Sequence, residues 1–103
     1  MTTEGSWADV WTQVCRQAAA TPDAVALTDA ENQLTYAALV GAARRRGAAL
    51  AEAGVRPGDV VGVLEERGVS WVTTQLAVWS VGAAYLPLGD AGAVGSSEHG
   101  YDR

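Results

Sequence analysis

Between Val60 and Leu88 the chain reads apolar strand, helix, apolar strand, and this order constrains the fold more than any other feature. Val60-Val61-Gly62-Val63-Leu64 is a continuous apolar run of strand length. Such runs are typical of parallel strands covered on both faces. Val72, Leu76 and Trp79 then fall on one face of a helix predicted from about Ser70 to Val81. Gly82 ends that helix, and Ala84 to Leu88 supplies a second apolar strand. Strands joined through a helix lie parallel, with a right-handed crossover. The fold class is α/β.

The upstream half adds two helices and a hairpin. Ser6 and Asp9 have capping-box spacing, and Trp7, Val10, Trp11, Val14 and Ala18 recur at helical spacing behind them. Pro22 stops this helix near Ala20. Ala24 to Thr28 and Gln33 to Thr35 read as short strands, joined by the polar loop Asp29-Ala30-Glu31-Asn32. Thr35 is placed to cap a helix from Tyr36 to about Ala53, with Leu39, Ala43 and Leu50 along its apolar line. Gly54 suits the position after a helix end, and Pro57-Gly58 the turn that follows. Residues 6–88 form the predicted domain. Gly89 to Arg103, rich in Gly, Ser and Ala and without periodicity, reads as a flexible tail.

Charge and residue inventory exclude several classes. The 103 residues carry twelve acidic side chains against seven arginines and no lysine, for a net charge of −5. Nucleic-acid binding calls for a basic stripe that is missing here, and an anionic membrane surface is disfavoured on the same ground. The uncharged stretch between Arg67 and Asp90 could span a bilayer by length. Ser70, Thr73, Thr74, Gln75 and Ser80 interrupt it, and Gly82 and Pro87 break it. Cys15, the only cysteine, lies on an apolar stripe and reads as a small core residue. No signal-like segment opens the chain, and a cytoplasmic location is expected. His99 has no second ligand at metal-binding spacing, so no metal site and no cofactor is expected.

Three segments, in fixed order, resemble the start of amino-acid adenylation domains of non-ribosomal peptide synthetases, in the adenylate-forming superfamily. They are Leu34-Thr35-Tyr36-Ala37-Ala38-Leu39, the stretch from Gly54 to Leu64, and Gly82-Ala83-Ala84-Tyr85-Leu86-Pro87-Leu88. Thr21-Pro22-Asp23-Ala24-Val25-Ala26-Leu27 is similar to the family's entry strand. The resemblance implies a partial adenylate-forming N-terminal subdomain: three helices, a short hairpin and a parallel βαβ unit. It departs from the family at Ala38, where the capping glutamate belongs, and at Gly89, where the second motif has aspartate.

These motifs shape backbone; none supplies a nucleophile, a base or a phosphate cradle. The family activates an amino acid with ATP and loads it onto a carrier-protein thiol. The resemblance places the phosphate loop, magnesium carboxylate, ribose aspartate and catalytic lysine of that chemistry downstream of the matched region. The expectation is therefore a truncated homologue tied to peptide-antibiotic biosynthesis, with no catalytic residue of its own, acting through association. The alternatives are the N-terminal half of a split adenylating enzyme completed by another chain, and a decayed reading frame. Arg44-Arg45-Arg46 reads as a solvated helix face, and Glu65-Glu66-Arg67, although at a strand's C-terminal end, has no partner constellation. Trp71, Trp79, Tyr85, Leu86 and Leu88 are the interaction candidates. The expected partner is a second copy or a peptide-synthetase-related protein, because a short sheet leaves edges and apolar surface to cover.

Overall fold

Thr35 decides where the second helix begins. Its backbone is extended (φ −77°, ψ 168°) and its side chain accepts the Ala38 N–H at 3.1 Å, which satisfies one of the orphan donors of the first turn. The computed structural model describes residues 6–88, in the order α1 (Ser6–Ala20), β1 (Val25–Thr28), β2 (Gln33–Thr35), α2 (Tyr36–Glu52), β3 (Val60–Val63), α3 (Val69–Ser80) and β4 (Ala84–Pro87). The expected flexible tail, with Gly89, Asp90 and His99, lies outside the described residues. β1 and β2 form an antiparallel hairpin; β3 and β4 pair in parallel, Val60 opposite Ala84 and Val63 opposite Pro87. The α/β reading holds, with each predicted element present and its ends moved by a residue or so.

Two core clusters meet at α3. Leu39, Ala43 and Leu76 are buried together, with Trp11 and Val14 of α1 and Leu27 and Leu34 of the hairpin packed around them. Val63, Val78 and Ala83 form the second cluster, flanked by Leu50, Val55, Val61 and Tyr85. Trp79 touches both. Burying a leucine such as Leu39 or Leu76 stabilises the fold by about 2 kcal/mol.

Small residues bring α2 and α3 close. Gly47 is buried in α2, and a Cβ there would stand 2.6 Å from Ser80 Oγ. The arginine run is not merely a solvated face. Arg46 Nη1 donates to Ser70 O at 3.0 Å, Ser70 Oγ at 3.1 Å and Thr74 Oγ1 at 2.7 Å, strapping α2 to α3. Arg44 lies over the Trp11 ring, 6.0 Å from its centre, and its Nη2 is 3.9 Å from Cys15 Sγ.

The sheet departs from expectation. Val61, Val63 and Tyr85 point toward the helices, but the opposite face is open, with Val60 64%, Leu86 48% and Leu64 43% exposed. Two uninterrupted apolar runs predict cover on both faces. Residues 6–88 provide helical cover on one side only.

Candidate functional site

Spacing along α3 builds one wall of a cleft. Trp71, Gln75 and Trp79 recur every four residues and so share a helix face; Ala84, Tyr85 and Pro87 of β4 form the other wall, and Arg67 closes one end. The space between is about 470 Å³. The Trp71 and Tyr85 rings meet edge to face, 6.2 Å apart at 84°, a favoured aromatic arrangement. The Arg67 guanidinium sits 5.6 Å from the Trp71 ring centre, within cation–π range.

Polar groups are stored beneath this aromatic wall. Ser70 Oγ donates to Glu65 Oε2 at 2.7 Å and accepts from Arg46, so a chain of contacts links α2 to the loop after β3. Glu65 Oε1 and the Tyr85 hydroxyl are shielded from solvent, and neither has a hydrogen-bond partner among the described residues. Burial pushes the Tyr85 phenol above its ordinary pKa, and the negative charge of Glu65 adds to the rise. The tyrosine therefore stays neutral across ordinary pH.

A second depression of about 330 Å³ lies between the hairpin loop and the start of α3, lined by Asp29, Glu31, Asn32 and residues 64–68 with Ser70. Gly68 precedes α3 at φ +146° and offers no side-chain cap. Asp29, forty positions earlier, does that work: its Oδ2 accepts the Val69 N–H at 2.8 Å while Oδ1 accepts those of Glu31 and Asn32. These N–H groups, Val69 foremost, hold the Asp29 carboxyl below its ordinary pKa.

Of the residues singled out from sequence, Trp71, Trp79 and Tyr85 come together in the larger cleft. Leu86 points to the open face of the sheet, and Leu88 is half-buried with its side chain against Gly62. Trp71 and Trp79 are half-buried rather than bare. Sequence reasoning missed Gln75, Arg67 and Glu65 as parts of one locality. The four-residue spacing from Trp71 to Trp79 was the available signal for Gln75; Glu65 and Arg67 stand at a strand's C-terminal end, but nothing in the sequence joins them to the tryptophans. Among the described residues no group of three or more His, Cys, Asp or Glu side chains could hold a metal, and no helix is long and apolar enough to cross a membrane.

Comparison with known proteins places this geometry. The family model for AMP-binding enzymes matches residues 14–99, running past the last described strand. CymA of Salinispora arenicola, a probable non-canonical non-ribosomal peptide synthetase, is 49% identical over 71 residues, covering 69% of this chain and 1% of its own. A component of the plipastatin synthase of Bacillus subtilis is 46% identical over 76 residues, covering 74% of this chain and 3% of the relative. The chain thus spans only a few per cent of these relatives' length. The crystal structure of the non-ribosomal peptide synthetase FmoA3 superposes with a TM-score of 0.74 at 41% identity, over 79% of this chain and 9% of that one. The N-terminal subdomain of Klebsiella oxytoca NpsA gives 0.69 at 26% identity, over 79% and 20%. The matched strand–helix–strand frame and its flanking helices are those of a non-ribosomal peptide synthetase adenylation domain, and the chain belongs to the AMP-binding enzyme family.

Proposed function

We propose that residues 6–88 are a structural part of an amino-acid-activating unit in peptide-antibiotic synthesis, working through association with the rest of an adenylation fold. On this reading the 103-residue polypeptide does not form an adenylate by itself. The observation that carries it is the sheet: two parallel strands, covered on one face, with Val60, Leu64 and Leu86 exposed on the other. Apolar surface of this kind marks a place for a partner.

The chemistry of adenylation supports the same division of labour. Negative charge grows on phosphate oxygens in the transition state, so prepositioned cations and N–H donors must face it. The polypeptide has no lysine. Arg44, Arg46 and Arg67 are engaged with Trp11, with Ser70 and Thr74, and with Trp71, while Arg16, Arg45 and Arg56 are exposed and line neither cleft. Amino-acid-dependent exchange of pyrophosphate into ATP tests the proposal on the pure polypeptide. The expected result is no exchange with any of the standard amino acids; exchange above the no-enzyme background would overturn it.

A further inference from the structure

The loop after β3 turns one carboxylate inward. Glu65 is half-buried, whereas Leu64 before it and Glu66 after it are exposed. Its Oε2 accepts from the Ser70 hydroxyl at 2.7 Å, and Ser70 Oγ accepts from Arg46 at 3.1 Å. Its Oε1 is shielded from solvent and has no hydrogen-bond partner among the described residues. The Tyr85 hydroxyl is in the same condition. Buried polar atoms without a hydrogen bond are rare, because the lost hydration is not replaced. Two of them in one locality point to a shared partner.

Both side chains converge on the first turn of α3. The Tyr85 ring meets Trp71 edge to face at 6.2 Å, and Glu65 is held by Ser70, the residue before Trp71. Burial, and after it the charge of Glu65, raises the Tyr85 pKa, so carboxylate and phenol are electrostatic neighbours and the phenol keeps its proton. A neutral phenol can donate, and an ionised carboxylate can only accept. The two atoms are complementary, yet they do not bond each other directly. One molecule that accepts from the phenol and donates to the carboxylate satisfies both, and a water does this with two of its sites. A metal ion does not suit the place. It would face one carboxylate oxygen and a phenolic proton, and no group of three or more His, Cys, Asp or Glu among the described residues could hold it.

We propose that one buried water bridges the Tyr85 hydroxyl and Glu65 Oε1 and is a fixed part of the fold. The bridge completes a hydrogen-bonded line from Arg46 on α2 to Ser70 on α3, to Glu65 after β3, and through the water to Tyr85 on β4. The line bears most on β4. Ala84 N–H donates to Asp59 O at 2.7 Å and Leu88 N–H to Val63 O at 2.9 Å. Peptide groups alternate in direction along a strand, so the Tyr85 N–H points away from β3, and the phenol becomes the polar anchor of that residue. The inference is independent of the associative reading above. It concerns the helix-facing side of the sheet and holds whether or not the open face is covered.

Oxygen-17 magnetic relaxation dispersion on the whole polypeptide counts long-lived waters without interference from hydroxyl proton exchange. Replacing both polar partners, by Glu65→Leu together with Tyr85→Phe, should remove one such water relative to the native protein. Glu65→Gln, which keeps a polar atom toward Tyr85 in either amide orientation, should retain it. Stability gives a second readout. Tyr85→Phe should lower the folding equilibrium constant about three- to ten-fold in the native background, the worth of one hydrogen bond, and by less than about two-fold when Glu65 is already leucine. An unchanged water count in the double variant overturns the proposal; if the stability coupling persists there, the two groups bond directly instead. Equal losses from Tyr85→Phe in both backgrounds, or none in either, also overturn it, because the two atoms would then share no partner.

Discussion

The α2–α3 junction and the β3–β4 sheet are both apolar in sequence, yet they end in opposite conditions. At the junction Ala43, Ala77 and Val78 are fully buried, Gly47 allows close approach, and Arg46 straps the two helices through Ser70 and Thr74. The sheet buries Val63 but leaves Val60, Leu64 and Leu86 in solvent. Composition does not separate the two regions; what lies on the other side does. A helix hides a stripe against one neighbour, whereas a strand has two faces and two edges, and a two-stranded sheet leaves most of them open.

Truncating the junction should produce the largest effect. Leu76→Ala is expected to cost about 3 kcal/mol, within the usual range for a buried leucine, read as a fall in the urea midpoint. A loss no larger than that from a sheet-face substitution would erase the contrast between the two regions.

Gly68→Ala probes how the junction is held to the hairpin. Alanine at φ +146° is strained, and its Cβ would stand 2.8 Å from Asp29 Oδ2, so about 2 kcal/mol should be lost. The same latch predicts an acid response. Because folding depresses the Asp29 pKa from its ordinary 3.8, its contribution is complete above that value and lost as pH falls through the lower folded-state value. Acid titration of stability should therefore show a steeper loss below pH 3.8 for the native protein than for Asp29→Ala. Parallel acid limbs would contradict the assignment.

Ala38→Glu should move stability the other way, by about 0.5 kcal/mol, by restoring the reciprocal half of the box that Thr35 opens. A thermal melt in which the glutamate variant is less stable would count against it. Smallest of all should be Leu86→Thr on the open face, within about 0.5 kcal/mol of the parent. A larger loss would mean that this face is covered in solution.

The elements were legible because their punctuation is local: Thr35 before α2, Gly54 after it, Gly82 between α3 and β4. The hairpin and the parallel pair followed from order and loop length alone. Three features were not legible, each for a physical reason. Asp29 caps α3 from forty residues away, and no spacing rule reaches that far. Arg46 looks like one of three equivalent arginines until the helix packing angles it onto Ser70. Val60-Val61-Gly62-Val63-Leu64 reads the same whether one face is covered or two. Of the interaction candidates, the aromatic trio was legible as a group, while the split of Leu86 and Leu88 onto different surroundings needed the register of β3 against β4.

Native-state hydrogen exchange on the polypeptide alone tests the contrast most directly. The helices should be locked by their own core, so the amides of Ala43, Ala77 and Val78 should exchange only through global unfolding. Tyr85, and Gly62 by the same alternation in β3, should exchange orders of magnitude faster, because their N–H groups point away from the ladder. Uniformly slow exchange at all five amides, in a sample that light scattering shows to be monomeric, would mean that the chain already covers its own sheet, and the associative account would be wrong.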